Sequence, residues 1–442
     1  MIKKLVVLFF FSNCSFLYAQ TIKTDVLVIG SNASAFAAAI QSARSKVKTV
    51  LSDYDGAGEK KTGGLLSINA DRDNPSGIWA EFRKQVRAVY EKTPGYDTAF
   101  NAPLALHRDT GAAILKRIAD TVKNLTIVNE PFNSIKKDGD RWEVNLLQNG
   151  KTQTIKARII IDATENGNIV LKAGVKFARG QDNIKNGIAN LYRTSIACGE
   201  FLPGQQNTPG LTTGYPPRPA WCMPMQSVLL PGAGNLLVIA KALPAGGDIQ
   251  FLPLQLKTGQ GAGAIAAYCA FFKTTTNNLR VRIIQGELLD FKSYLLPFSD
   301  ITSDDRDWRA IQQVCAAGLL KGAQQIKGND VRFVFKPDST VNTAEVQPGL
   351  KEIYTRAFLW FNKEKPGEKF TVGNLLSFIS DYTLTEPDVL RFRAQRDWKT
   401  LYAFKNNFDL NRAVTRREFA VLTNKFLNPF ARTVDLQGRL VN

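Results

Sequence analysis

Residues 24–55, TDVLVIGSNASAFAAAIQSARSKVKTVLSDYD, constrain the fold more than any other stretch of the chain. Asp25-Val-Leu-Val-Ile29 is a short apolar, β-branched run, which suits a strand buried on both faces of a parallel sheet. Gly30 ends it, and small residues follow at Ser31, Ala33, Ser34 and Ala35. An alanine-rich helix is expected over Phe36 to Ala43, then a second strand over Val47 to Leu51 with Asp53 at its end. Strand, tight turn, helix and strand within about 30 residues make one βαβ unit. Such a turn aims the free N–H groups and positive dipole end of the helix at whatever lies above it, and a pyrophosphate fits there. A carboxylate about 20 residues further on can accept hydrogen bonds from a ribose, and Asp53 has that spacing. The glycine pattern is incomplete, because Asn32 and Ala35 stand at the second and third glycine positions of G-x-G-x-x-G. Alanine at the third still allows helix and strand to pack closely. Asparagine at the second tolerates unusual backbone angles and carries a side chain toward the phosphate. The same residues also suit an ordinary βαβ unit with no ligand.

The N-terminus reads as a secretory signal peptide. Lys3 and Lys4 precede an apolar run from Leu5 to Phe11, and small and polar residues lead to an expected cleavage after Ala19. The apolar part is too short for a membrane span, and no other run is long enough, so no transmembrane segment is expected. Localisation is therefore expected to be exported, periplasmic or extracellular. Lipid attachment at Cys14 ranks second, since Asn13 before it fits poorly. Four cysteines remain beyond the leader, Cys198, Cys222, Cys269 and Cys315, too widely spaced for a disulfide framework. The single histidine, His107, excludes histidine-rich metal sites and most histidine-based triads, and no metal site is expected. The net charge of +18 is spread along the chain rather than gathered in a tail. In an exported protein it implies solubility and a bias toward anionic surfaces or substrates, not a nucleic-acid partner.

Helices are expected around Ile78 to Val86, where Ile78, Phe82 and Val86 fall four apart, and from Asp109 to Val122. Leu125 to Val128 reads as a strand. Ser134 to Ala157 reads as short strands with hairpin signals at Asp138-Gly139 and Asn149-Gly150. Arg158 to Ala163 is a second buried strand, running into Thr164.

In this order the stretches VLVIGSNASAFAAAIQSAR, GGLLSINAD, NPSGIWAEFRKQV, IIIDATENGNIVLKAGVKF, YRTSIACGE, MPMQSVLLPGAGNLLVIAKAL and TGQGAGAIAAYCA resemble the FAD-dependent oxidoreductases of glutathione-reductase-like fold. More narrowly, the chain is similar to the secreted bacterial branch labelled xanthan-lyase-like. The resemblance covers most of Thr24 to Ala270. It implies an α/β fold: a Rossmann-like FAD-binding domain over 20–294 with a β-meander and a small substrate region at about 176–222. It also implies FAD as cofactor, a small-molecule substrate and flavin-based electron transfer. On that resemblance Gly30, Asn32, Ala33 and Ser34 would hold the pyrophosphate and Asp53 the adenosine ribose. Gly63, Gly64 and Leu65 would pass near pyrophosphate and flavin, and Ala163 and Thr164 would lie under the cofactor. Gly259, Gln260, Gly261 and Gly263 would open a helix whose N-terminus faces the flavin, where helix N–H groups stabilise the charge of the reduced ring. Taken alone, those glycines also suit a helix–helix packing surface.

The chain departs from the family on the substrate side. Pro224-Met225-Gln226 stands where members carry an arginine, Ala240-Lys241 where they have Gly-Arg, and an arginine expected before the last helix is missing. A loop around Tyr215-Pro-Pro-Arg-Pro-Ala-Trp221 is expected to close over the substrate, with Tyr192, Arg193, Tyr215, Arg218, Trp221, Gln226 and Lys241 as candidate pocket residues.

From about Leu295 the composition changes, and residues 295–442 are expected to form an α-helical repeat module. Trp308 and Ile311 on one helix, the turn Gly318 to Gly322, and Val341-Asn-Thr-Ala-Glu345 resemble an S-layer-homology repeat. Val414-Thr-Arg-Arg-Glu418 repeats its last part with capping-box spacing, and a third copy is not evident. The resemblance implies contact with glycan or cell envelope, while a structural appendage is the preferred role. The function expected overall is that of an FAD-dependent oxidoreductase acting on an organic small molecule, with a carbohydrate or its breakdown product as the candidate that the family label suggests. The alternative is a catalytically vestigial flavoprotein scaffold that binds glycan or envelope.

Overall fold

The computed structural model describes residues 21–53, 64–148, 151–178, 190–202, 211, 214–244 and 248–441. The expected signal peptide and Gly63 lie outside them. The N-terminal half opens with β1 (Ile22–Ile29), α1 (Ala33–Arg44), β2 (Thr49–Ser52) and β3 (Leu66–Ile68). It continues with α2 (Gly77–Tyr90), β4 (Leu104–Leu106), α3 (Arg108–Asp120) and β5 (Leu125–Val128). Three meander strands follow, β6 (Phe132–Asp138), β7 (Arg141–Gln148) and β8 (Lys151–Asp162), then α4 (Asn168–Lys172). The hairpin strands β9 (Ser195–Glu200) and β10 (Ala220–Pro224), strand β11 (Leu236–Val238), and helices α5 (Leu252–Phe271) and α6 (Val281–Asp290) complete it.

The main sheet runs β5-β2-β1-β8-β7-β6, with β11 also on β8. On the edge away from β1, strand β8 serves two partners: its first part pairs antiparallel with β7 and its last residues pair parallel with β11. The five parallel strands and the appended meander match the expected α/β architecture. Strand β1 shows why its apolar run is continuous. Val26 and Val28 enter the core beneath α1 and α5, whereas Leu27 and Ile29 enter the core under the meander and α4. Both faces are covered, so no polar alternation is needed. Because β1 lies between β2 and β8, chain order reverses at its carboxyl end, where open α/β sheets bind ligands.

The C-terminal part comprises α7 (Trp308–Ala317), β12 (Ala323–Lys327), β13 (Asp330–Val334), α8 (Thr343–Ile353), α9 (Ala357–Glu364), α10 (Val372–Thr383), α11 (Pro387–Thr400) and α12 (Arg416–Leu427). Three of its segments form a closed ring of backbone hydrogen bonds. Val341 N–H donates to Val414 C=O, Val414 N–H to Phe370 C=O, and Phe370 N–H to Val341 C=O, at 2.9–3.0 Å. All three residues are fully buried, and each leads into a helix, α8, α12 or α10. The unit therefore has a third copy, at Phe370-Thr371. Thr371 with Asn374 and Thr415 with Glu418 each form a reciprocal capping box, whereas Asn342, at the N-cap position of the first copy, makes no side-chain capping bond. The sequence hides this copy because Asn374 stands in place of the glutamate and Val372 in place of the arginine.

The two parts share a core. Tyr192, Cys198, Ala220 and Cys222 of the β9–β10 region pack with Tyr294, Phe298, Trp308 and Phe333 in one apolar cluster. Among the described residues the four cysteines are buried free thiols, and no group of three His, Cys, Asp or Glu is placed to hold a metal. No described helix is long and apolar enough to cross a membrane.

Candidate functional site

The β1–α1 turn keeps the first glycine of a dinucleotide turn, with Asn32 and Ala35 at the second and third glycine positions. Gly30 has φ +149°, and a Cβ there would lie 2.7 Å from the carbonyl oxygen of Ala163, so only glycine lets β1 end this close to β8. Asn32 is the N-cap of α1: its Oδ1 accepts from Ala35 N–H at 3.0 Å and from Ser34 Oγ at 2.7 Å. Its Nδ2 donates to Ala163 C=O at 2.7 Å. The asparagine thus welds the turn to the end of β8 and takes one helix donor for itself. Ser31, Asn32 and Ala33 still line a cavity of about 310 Å³, which Arg108 at the start of α3 also lines. Asp53 is buried just past the end of β2.

This donor set fits the adenosine diphosphate half of FAD: a helix N-terminus and an arginine for phosphates, and a buried carboxylate one strand over for a ribose. Arg108 was not among the residues singled out from the sequence. It lies 78 positions after Gly30, and only the packing of α3 beside α1 brings it to the turn. Gly64 and Leu65 are exposed ahead of β3. Ala163 and Thr164 are engaged in the turn after β8. Thr164 Oγ1 donates to the buried carboxylate of Asp162 at 2.6 Å and accepts from Asn168 N–H at 2.8 Å. Burial raises the pKa of Asp162, against which four hydrogen bonds from Thr164, Ile169 and Val170 favour the ionised form.

The glycine run does not open a helix. Helix α5 starts at Leu252, with Pro253 in its first turn, so Gly259 lies two turns inside. Cβ atoms at Gly259 and Gly263 would come within 2.2 Å of Ser34 O and 2.4 Å of Ala38 O on α1, and one at Gly261 within 2.9 Å of Ile196 O on β9. These glycines are a helix–helix and helix–strand contact. Gln260 is buried among the same elements, accepting from Ile78 N–H at 3.0 Å and donating to Gln41 Oε1 at 2.9 Å. Asp248 caps the short 3-10 turn Ile249–Phe251 that leads into α5, its Oδ1 accepting from Gln250 N–H at 2.9 Å. Asp248 and Pro253 are the start signals that mark this end in the sequence.

The seven candidate pocket residues divide among three places. Tyr192 and Arg193 are buried at the junction with α8, where Arg193 forms a bidentate pair with Glu352 at 2.6 and 2.7 Å. Tyr215 packs edge-on against Tyr192 and Phe333, and its hydroxyl accepts from Gly322 N–H. Lys241 is buried and donates to Leu229 C=O at 2.8 Å and Gln226 C=O at 3.3 Å, closing a backbone turn. These five stabilise local structure. Trp221 is buried with its ring against Phe201, and Arg218 lines a cleft that Phe201 also lines.

That cleft has a volume of about 440 Å³ and lies between the loop after β3, the end of β9 and the β12–β13 hairpin. Asp71, Asp73, Glu200 and Asp330 line it, with Arg72 and Arg218. Asp71 sits at its base in the left-handed backbone region, φ 53°, and pairs with the buried ammonium of Lys257. Lys257 also donates to Cys198 C=O at 2.8 Å. Arg332 reaches Asp330 at 2.7 Å and Asp73 at 3.6 Å. The cleft adjoins the start of α5 through Gln250, which donates to Ser67 C=O at 2.7 Å and accepts from Asn69 N–H at 2.8 Å. Asn69, bonded to Gln250, lines the cleft, and Asp248 and Ile249 beside Gln250 line the dinucleotide cavity, so the two cavities flank the segment that leads into α5.

Burial, aided by the carboxylates of Asp71 and Asp73, pushes Glu200 up from 4.5 to about 7, while the Phe333 N–H and Arg332 oppose the shift. A carboxyl whose pKa is raised on folding stabilises the protein fully below its unfolded value and loses that contribution as pH rises through the folded value. Glu200→Gln should therefore match the parent at about pH 4.5 and exceed it by about 2–3 kcal/mol at about pH 8. Urea unfolding at the two pH values measures this, and equal stabilities at both would show that Glu200 titrates normally.

Residues 25–198 match the family model described as FAD dependent oxidoreductase. The match spans less than half of the chain, and FAD is the cofactor that family implies. No curated protein sequence matches the chain. Solved structures similar to it include the rebeccamycin biosynthetic enzyme RebC with reduced flavin, at 15% identity over 37% of each chain and a TM-score of 0.29. A thioredoxin reductase from Gloeobacter violaceus matches at 15% identity over 33% of this chain and 38% of its own, TM-score 0.22. The OxyS anhydrotetracycline hydroxylase from Streptomyces rimosus matches at 11% identity over 67% of this chain and 68% of its own, TM-score 0.37. The chain spans a little over a third of the length of the first of these.

Proposed function

We propose that this protein is an exported FAD-dependent oxidoreductase acting on a small polar organic molecule. The observation that carries the reading is that the dinucleotide turn and the charged cleft flank the same segment, Asp248 to Gln250, ahead of α5. The α1 N-terminus and Arg108 hold phosphate, Asp53 holds ribose, and the cleft holds substrate. FAD, when bound, supplies the two-electron acceptor. Asn69 and Gln250 fix the wall between cofactor and substrate sides. Export rests on the leader-like residues Lys3 to Ala19. A carbohydrate or its breakdown product is the substrate that the family resemblance suggests.

The C-terminal module serves here as structure. Arg416, at the arginine position of the repeat, is buried and donates to Phe335 C=O and Lys321 C=O, both at 2.6 Å, and pairs with Glu345. Glycan or envelope contact is its alternative role. A non-catalytic scaffold is favoured by one feature, the Asp248 carboxylate on the helix end expected to face the flavin, where negative charge opposes a reduced ring. The test is anaerobic mixing of the FAD-loaded protein with sugars, sugar acids, alcohols and amines, followed at about 450 nm. Bleaching by one class supports the enzyme. Loaded protein that none of them reduces supports the scaffold.

A further inference from the structure

Two of the four buried thiols lie directly across from each other. Cys198 on β9 is the register partner of Cys222 on β10 in an antiparallel pair. The phase of that ladder follows from the Phe201 N–H, which donates to Pro219 C=O at 2.9 Å. Residues 201 and 219 are therefore a hydrogen-bonded pair. Opposite pairs alternate in kind along an antiparallel ladder, so Cys198 and Cys222, three steps further on, form a non-hydrogen-bonded pair. In such a pair the Cα atoms stand about 4.5 Å apart and the side chains come closer than in the other kind. A disulfide needs about 4.4–6.8 Å between Cα atoms. The two side chains also share one face of the hairpin. Cys198 Sγ donates to Tyr294 C=O at 3.2 Å and Cys222 Sγ to Leu295 C=O at 3.5 Å, carbonyls of neighbouring residues. Both thiols belong to the same apolar cluster. Cys269 and Cys315 sit on helices α5 and α7, off this ladder.

We propose that Cys198 and Cys222 form a disulfide when the chain folds in an oxidising medium, tying β9 to β10. The proposal rests on the export reading for where that medium is met, and on the strand register for which two thiols pair.

The step is thiol–disulfide exchange, with a small-molecule or protein disulfide as oxidant. One cysteine thiolate attacks the S–S bond of the oxidant, forming a mixed disulfide and releasing one thiolate. The second cysteine attacks the mixed disulfide, forms the Cys198–Cys222 bond and releases the other thiolate. The oxidant gains two electrons, and its two departing thiolates take up the two cysteine protons. The exchange belongs to folding and not to the folded protein. Cys198 is 1% exposed and Cys222 fully buried, and burial pushes the Cys222 thiol up to about 12. A covered, protonated thiol does not attack. The bond closes residues 198–222 into a loop that carries Arg218 of the charged cleft. Closing that loop restricts the unfolded chain and so stabilises the fold.

The first arm of the test expresses the full chain, leader included, in a bacterial host and recovers it from the periplasm. The protein is unfolded in guanidinium chloride with N-ethylmaleimide and no reductant, digested, and read by mass spectrometry. Cys198 and Cys222 are expected in one cross-linked pair of peptides, with Cys269 and Cys315 alkylated. The second arm expresses residues 20–442 in a host with an oxidising cytosol and in one with a reducing cytosol. The first product should carry the same cross-link and melt about 5 °C above the second. Cys222→Ala should melt at one temperature from both hosts. The inference is overturned if all four cysteines are alkylated in the periplasmic protein or in the product of the oxidising cytosol, or if the bond joins another pair. The mass measurement on the parent carries the test without the variant. A full chain found only in the cytosol, with Lys3 and Lys4 still attached, removes the export reading, and the second arm then decides this inference alone.

Discussion

Replacing Lys257 by methionine is expected to destabilise the protein by about 3–5 kcal/mol at neutral pH, the usual cost of leaving one member of a buried ion pair without its partner. Lys257 is 1% exposed and faces Asp71, itself held at the base of the cleft. Burial raises the pKa of Asp71, and the Lys257 ammonium is the main force pulling it back down. Without Lys257 the carboxyl either stays charged in an apolar surround or takes a proton. The loss should therefore shrink as pH falls, because a protonated Asp71 needs no cation. Adding Asp71→Asn to Lys257→Met should recover part of it, since no buried charge remains. Urea unfolding of the parent, the single variant and the double variant measures all three. A single variant within about 1 kcal/mol of the parent would mean that water reaches the pair.

The second large effect is expected at Gly259. A Cβ there would stand 2.2 Å from the carbonyl oxygen of Ser34, and backbone cannot yield as a side-chain tip can. Gly259→Val forces α5 away from α1, costs at least about 3 kcal/mol as overpacking, and displaces the Asn32 cap and the turn above it. Flavin retention should fall together with stability. Gly286→Ala is the control: it lies inside α6 with no atom within 4 Å of the added methyl, and a gain of up to about 1 kcal/mol is expected. Comparing melting curves and flavin content of the two variants separates contact from composition. A Gly259→Val protein that melts like the parent would contradict the α1–α5 packing described here.

Much of this architecture is legible in the sequence because it is written locally. The apolar run Asp25 to Ile29, the stop at Gly30 and the hairpin turn at Asp138-Gly139 each fix a neighbour-scale geometry. The capping-box spacing at Thr415 and Glu418 does the same for α12. What a small residue packs against is not written locally. Gly259 to Gly263 suit a flavin-facing helix end and a helix crossing equally well, and only the start of α5 at Leu252 decides between them. The cleft is harder still. Asp71, Glu200 and Asp330 lie more than a hundred positions apart, on three elements with no shared pattern. Tyr192, Arg193 and Lys241 look like pocket residues by type, yet each is buried with partners that the sequence does not announce.

The measurement that bears most directly on the account is the visible absorption spectrum of the purified full-length protein, before and after adding FAD. Bands near about 370 and 450 nm are expected, present as isolated or after reconstitution, and retained through gel filtration. A folded protein that stays colourless after incubation with FAD would contradict it, and would leave the βαβ unit, Arg108 and Asp53 as a scaffold without its cofactor.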